Sequence, residues 1–121
     1  MSNDPRHKLG DDGEQIAAEH LERLGYEIVA RNHRTRFGEL DIVAVAGDTL
    51  VFCEVKTARG SVSPFESLHA RKRAQVRRMA AAYLSDNRGK PYADNVRFDA
   101  IGIVCDMAGR LTSLEHLEGA F

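Results

Sequence analysis

The chain has 121 residues, and its 17 Lys and Arg nearly balance 18 Asp and Glu, which gives a formal net charge of -1. A hydrophobic content of 43% is typical of a globular protein and excludes a disordered one. No apolar run approaches the roughly 20 residues of a membrane-spanning helix, and the two cysteines are too few for a zinc ribbon. The composition predicts a cytoplasmic protein without membrane contact, and the net charge alone argues against a nucleic-acid partner.

The first part of the chain predicts a helix and three strands. Residues 1–11 predict a flexible N-terminal arm, before a single domain over residues 12–121. Asp12 and Gln15 have capping-box spacing, and apolar residues then follow a helical pattern until Gly25, so a helix is expected over 12–24. Alternation predicts strands over 26–32, 39–46 and 49–57, with a basic loop after the first.

The second part predicts one more helix and two strands. Ser63 to Glu66 could form a second capping box, and helical spacing runs from Leu68 to Leu84. Strands are expected over 95–105 and 111–117. The order α-β-β-β-α-β-β predicts an α/β fold with a mixed central sheet flanked by helices.

Gly47-Asp48 has the composition of a two-residue hairpin turn, and this turn fixes a register. Asp41 would lie opposite Glu54, and Glu39 opposite Lys56, on the face that also carries Val43 and Phe52, whereas Leu40 and Ile42 would share the other face. Both faces are otherwise apolar, as in a doubly covered strand pair.

Two carboxylates at cross-strand distance repel each other, and a divalent cation would relieve the repulsion. One Asp and one Glu with open positions for water and phosphate describe a Mg²⁺ site, where Lys56 could polarise the attacking water. Glu14 and Lys72 continue the buried stripes of their helices and would point to the same end of the sheet. Solvated salt bridges are the alternative interpretation, and a bulge at Asp41 would separate the cluster.

Residues 38–44 and 51–57, an Asp followed by a hairpin and then Glu-x-Lys, resemble the PD-(D/E)xK nuclease pattern. More narrowly, together with Gly13-Glu14 and Arg97-Phe98-Asp99, they resemble the YraN-like family of predicted endonucleases, which are similar to archaeal Holliday-junction resolvases. The resemblance runs from about Lys8 to Val104.

This resemblance implies a restriction-endonuclease-like core and a role for each matching residue. Asp41 and Glu54, with the Val55 carbonyl, would bind Mg²⁺ or Mn²⁺, and Lys56 would orient the nucleophilic water. Glu14 would match the helix-one glutamate of the resolvase-like branch, and Glu39 would be auxiliary. Resolvase-like relatives also imply a homodimer. Ala58 and Arg73 depart from the family pattern, which affects only the expected substrate contacts.

The positive charge is concentrated in residues 56–90, which contain nine Lys and Arg and only two acidic residues. Beside a carboxylate cluster, such a segment favours phosphate binding over a merely solvated helix face. The predicted nucleic-acid contacts are Arg59, Arg71, Lys72, Arg73, Arg77 and Arg78. The argument from net charge therefore fails once the charges are located along the chain.

Three functions are compatible with these patterns. The leading hypothesis is a Mg²⁺-dependent endonuclease acting on phosphodiester bonds of DNA, including branched or junction DNA. The alternatives are a non-catalytic nucleic-acid-binding module on the same fold, and a core domain that binds protein partners.

Overall fold

The computed structural model describes the backbone of residues 5–88 and 93–121, and the side chains within these ranges from Asp12 onward. The elements are α1 (Pro5–Arg23), β1 (Glu27–Thr35), β2 (Gly38–Ala46), β3 (Thr49–Arg59), α2 (Ala70–Asp86), β4 (Asn95–Cys105) and β5 (Leu111–Leu117). Their order and the α/β class confirm the prediction. None of the helices within these ranges is long and apolar enough to cross a membrane.

The five strands form one mixed sheet in the order β1-β2-β3-β4-β5. Only β3 and β4 are parallel, and α2 lies between them in the chain as the crossover that a parallel pair requires. Helix α1 packs on one face of the sheet with a core that includes Leu21 and Ile42. Helix α2 packs on the other face, where its Met79 lies in one core with Phe52 of β3. The central strands are therefore covered on both sides, as predicted.

Helix α1 begins at Pro5, seven residues before its predicted start, so residues 5–11 of the predicted N-terminal arm are helical. Proline is favoured at the first helical position, and Asp12 lies inside the helix where no cap is required. Residues 1–4 of the predicted arm lie outside the described residues. The helix ends at Arg23, one residue before the predicted end, and Gly25 follows it with a φ of 90° and an amide that donates to the Glu22 carbonyl.

The β2–β3 hairpin has the predicted register. Ala46 pairs with Thr49, Val43 with Phe52 and Ile42 with Cys53. The described pairing ends there, and Leu40 packs on the α2 side of the sheet and not on the α1 side with Ile42. The strict alternation of faces thus fails at Asp41, between these two residues.

Two local predictions were wrong. Strand β1 continues to Thr35, so His33 and Arg34 lie in a strand and not in the predicted basic loop. Helix α2 has His69 as its N-cap, whose Nδ1 accepts a hydrogen bond from the Lys72 amide, so the Ser63 capping box does not start it. The Ser63 hydroxyl accepts from the Phe65 amide within the preceding turn.

Candidate functional site

The site lies where β2 and β3 separate. The Oδ2 atom of Asp41 accepts a hydrogen bond of 2.8 Å from the backbone amide of Val55. The side chain thus replaces the backbone carbonyl of β2 that would accept this bond in a continued sheet. This contact explains why the cross-strand pairs Ile42–Cys53 and Val43–Phe52 are not followed by pairs of Asp41 or Glu39 with β3. The Asp41 carboxylate is consequently held beside the segment that carries Glu54.

Glu54 is the most buried carboxylate of this end of the sheet, with 3% of its surface exposed. Its Oε1 atom lies 3.1 Å from Nζ of Lys56 and 3.4 Å from Nζ of Lys72. Lys56 is on the same strand and Lys72 is on α2, so two elements supply positive charge to one buried oxygen. The predicted approach of Lys72 to this end of the sheet is thus found in the structure.

Burial and, second to it, the nearby charge of Glu54 together raise the pKa of Asp41 to about 7. The Val55 hydrogen bond opposes this increase, and Lys56 does so more weakly. Asp41 and Glu54 therefore behave as a repelling pair in which Asp41 keeps its proton well above the ordinary range of an aspartate pKa.

Helix α1 brings a third carboxylate towards this pair. Gly13 packs directly against the Thr57 side chain of β3, so the helix lies close to the strand beside the site. The next residue, Glu14, is near enough for its charge to raise the pKa of Asp41. The structure thus places Glu14 at the end of the sheet where the sequence predicted it.

Glu39 does not join this cluster. Its neighbour across the sheet is Arg34 on β1, and the two side chains form a loose ion pair of 3.8 Å. The Glu39 side chain is 42% exposed. The predicted pairing of Glu39 with Lys56 is therefore not found.

The donor set fits a hard divalent cation as an incomplete site. Lys56 and Lys72 contact Oε1 of Glu54, and the Val55 amide contacts Oδ2 of Asp41. The second oxygen of each carboxylate is left to bind a metal ion. Across the described residues, no three His, Cys, Asp or Glu side chains form a metal-binding group by themselves. The backbone carbonyl of Val55, water and substrate oxygens would have to complete the coordination.

The predicted nucleic-acid contacts separate into four places. Lys72 points inward to Glu54, whereas Arg73, Arg77 and Arg78 line an open groove along α2. Arg59 lines a different depression, formed with the loop after β3. Arg71 lies exposed on α2. The basic segment is therefore not one uniform surface.

Sequence reasoning missed a polar network on the α1 side of the sheet. Asp99 is fully buried, and Arg97 donates to both of its carboxylate oxygens at 2.8 Å. Nε2 of His116 lies 2.8 Å from Oδ2 of Asp99, and its Nδ1 lies 3.1 Å from Nε2 of His20. The only signal was the Arg-x-Asp spacing on β4, which places both side chains on one face.

This network joins α1 and β5 to β4. Burial opposes ionisation of Asp99, but hydrogen bonds from His116, Arg97 and the Gly119 amide lower its pKa to about 2. Burial and the neighbouring His116 lower the pKa of His20. Because Asp99 is a carboxylate, Nε2 of His116 donates to it. In the neutral imidazole of His116, Nδ1 is then an acceptor for Nε2 of His20.

The fold and the site together define an α/β protein whose mixed sheet carries a carboxylate–lysine cluster at one end, consistent with a restriction-endonuclease-like core. The family described as "Uncharacterised protein family UPF0102" matches residues 13–103, and the chain belongs to this family, the YraN-like family of the sequence resemblance.

Relatives of the same family match over nearly their whole length. A UPF0102 protein of Parafrankia sp. (strain EAN1pec) is 45% identical over 116 residues, which cover 94% of this chain and 96% of the relative. One from Pelotomaculum thermopropionicum is 43% identical over 120 residues, or 98% of each chain. One from Alkaliphilus oremlandii is 39% identical over 116 residues, covering 94% of this chain and 97% of the relative.

Proposed function

We propose that this protein is a metal-dependent endonuclease that hydrolyses phosphodiester bonds of DNA, including branched or junction DNA. One observation carries the proposal: buried Glu54 lies next to Asp41, whose pKa is raised to about 7, and both face Lys56. Repelling carboxylates beside a lysine are costly in a purely structural role. They are the groups that metal-assisted phosphodiester hydrolysis needs.

Asp41, Glu54 and the carbonyl of Val55 would hold Mg²⁺ or Mn²⁺. When bound, the ion would polarise the phosphate and lower the pKa of a water molecule. The Val55 amide keeps the Asp41 carboxylate turned towards β3, since it donates to Oδ2 at 2.8 Å. The position of Asp41 is thereby set by the strand backbone before any ligand arrives.

We assign to Lys56 the role of orienting the attacking water or of neutralising the negative charge that develops on the phosphate. Its ammonium lies 3.1 Å from Glu54 and its side chain is partly exposed, so it can contact a substrate without leaving the carboxylate. Lys72, on α2, lies 3.4 Å from the same oxygen of Glu54. With both lysines in place, negative charge that develops on a phosphate meets fixed positive groups.

The wider proposal follows the PD-(D/E)xK pattern of residues 41–56. It includes membership of that nuclease superfamily, similarity to archaeal Holliday-junction resolvases, a homodimer and a cytoplasmic location. These points rest on resemblance and fold-level analogy. A two-fold dimer would suit a substrate with two equivalent arms.

The test is a cleavage panel of branched, duplex and single-stranded substrates with Mg²⁺ or Mn²⁺. We expect Asp41→Ala, Glu54→Ala and Lys56→Ala each to reduce cleavage by at least about a hundredfold, while binding in EDTA persists. Glu115→Ala is the matched control, because it removes an exposed acid of the edge strand β5. Cleavage that survives both acid substitutions would overturn the proposed site.

One observation favours the non-catalytic alternative, a nucleic-acid-binding module. Lys56 and Lys72 already neutralise Glu54 without a metal, as in a structural ion-pair cluster. That alternative predicts nucleic-acid binding without any divalent-ion binding that depends on Asp41 and Glu54. Calorimetry with Mn²⁺ on the wild type and on Asp41→Ala separates the two functions.

A further inference from the structure

An open groove of about 460 Å³ runs along the outer flank of α2. Its lining combines three arginines with small residues and one aromatic ring, namely Ala70, Arg73, Ala74, Arg77, Arg78 and Phe121. Lys72, which contacts Glu54, lies in the chain between two lining residues of the groove, Ala70 and Arg73. The groove is therefore adjacent to the proposed site but contains none of the site's residues.

Two of the three arginines are held in place by neighbours. Nε of Arg73 donates to the Leu68 carbonyl at 3.1 Å, which leaves the terminal nitrogens of its guanidinium for other acceptors. The guanidinium of Arg77 lies 6.0 Å from the centre of the Phe98 ring, within reach of a cation–π contact. Among the described residues, no acidic side chain pairs with Arg73, Arg77 or Arg78. Their positive charge is available to an anionic ligand.

The aromatic ring of the groove is supported from beneath. Phe121 lies 5.5 Å from Phe98 with the rings tilted by 31°, and Phe98 stacks on Phe52 at 5.7 Å. The Ala120 amide donates to the Phe98 carbonyl at 2.7 Å and fixes the segment that carries the ring. Phe121 remains partly exposed, so this row of rings ends at the groove.

We propose that the groove binds a single-stranded segment of nucleic acid, with one unpaired base against Phe121 and the neighbouring phosphates on Arg73, Arg77 and Arg78. An aromatic ring beside unpaired arginines is how proteins hold single strands without reading their sequence. A duplex cannot use the ring in this way because its bases are already stacked. As a substrate-binding element of the nuclease, the groove rests on the proposed function, and it directs a single-stranded arm towards Glu54 past Lys72.

The test measures binding in EDTA, so that it does not depend on cleavage. The full-length protein is titrated into a labelled oligothymidylate of roughly 12 nucleotides, into an abasic strand with the same number of phosphates, and into a duplex. The variants are Phe121→Leu, which keeps an apolar contact with Phe98, and Arg77→Ala. Arg110→Ala is the matched control, since it removes an exposed arginine that pairs with Asp106 outside the groove.

Phe121→Leu is expected to weaken oligothymidylate binding about tenfold and to leave the abasic strand unaffected. Arg77→Ala is expected to weaken both, and to flatten the slope of log K against log[salt] by about 0.7. Arg110→Ala should match the wild type.

Equal affinity of wild type and Phe121→Leu for oligothymidylate would overturn the inference. So would an abasic strand or a duplex that binds as tightly as oligothymidylate. Failure of the nuclease proposal is distinguishable from failure of this inference. If the wild type cleaves no substrate of the panel, the nuclease proposal fails, whereas the affinities measured in EDTA are unaffected.

Discussion

The Asp41 side chain accepts a hydrogen bond from the Val55 backbone amide at the point where β2 and β3 separate. A carboxylate thus occupies the position that a strand carbonyl would take in a continued ladder. The bond fixes the side chain of Asp41 beside Glu54 although the two charges repel. The geometry of the pair is therefore determined by the backbone, and its repulsion can be measured.

Asp41→Asn is expected to stabilise the metal-free protein at pH 8 more than at pH 4. Because the pKa of Asp41 is raised from 3.8 to about 7, its favourable contribution is present below pH 3.8 and is lost as the pH rises towards 7. In that range the free energy of unfolding of the wild type should fall, relative to the variant, by up to about 1.4 kcal/mol per pH unit. Urea denaturation in EDTA at several pH values measures the difference.

Glu115→Gln, on an exposed edge strand, controls for the loss of one acidic group. A difference between Asp41→Asn and the wild type that stays constant from pH 4 to 8 would contradict the raised pKa.

Lys72→Met is expected to bind Mn²⁺ about five times more tightly than the wild type. The Lys72 ammonium lies 3.4 Å from Oε1 of Glu54 and competes with a cation for that carboxylate. The Lys72 side chain is partly exposed to solvent, so removal of its charge is worth on the order of 1 kcal/mol. Calorimetry measures the affinity, and Arg71→Met is the control because Arg71 is an exposed neighbour on α2. Weaker binding by Lys72→Met would show that the lysine supports the ion.

The hairpin could be predicted from the sequence because its pattern is local. Gly47-Asp48 specified the turn, and the turn specified the pairing of Ile42 with Cys53. A bulge at Asp41 was one alternative for this hairpin, but the sequence could not decide it, since the deviation depends on a side chain replacing a backbone acceptor. For that reason Leu40 and Glu39 were assigned contacts that the structure does not contain.

The inner faces of the two helices could be predicted, but their contacts with distant parts of the chain could not. Helical spacing placed Lys72 on the inner side of α2 and Glu14 on that of α1, as the structure has them. Spacing within one helix does not indicate which loops and termini pack beside it. The neighbourhood of Phe121 and Arg77 brings together residues distant in the chain, and the same is true of His20 and His116.

Gly13→Ala is expected to destabilise the protein by about 1–3 kcal/mol, although alanine is the better helix former. A Cβ atom at residue 13 would overlap the Cγ2 methyl group of Thr57, so α1 or the threonine would have to move. Thr57→Ser removes that methyl group and is expected to restore stability in the double variant. A double-mutant cycle from urea denaturation measures the coupling. Equal effects of Gly13→Ala in the presence and absence of the methyl group would contradict the close contact.

Asp99→Ala is expected to be the most destabilising of these substitutions, at about 3–5 kcal/mol, because it leaves Arg97 and His116 around a buried site without their carboxylate. The pKa of Asp99 is lowered to about 2, so its contribution is complete above pH 3.8 and is lost as the pH falls through 2. Denaturation followed by circular dichroism should show that the difference in free energy of unfolding between wild type and variant shrinks over this acidic range. Glu115→Ala, which removes an exposed acid of β5, is the control. A difference that persists undiminished below pH 2 would assign the loss to packing rather than to the ionised carboxylate.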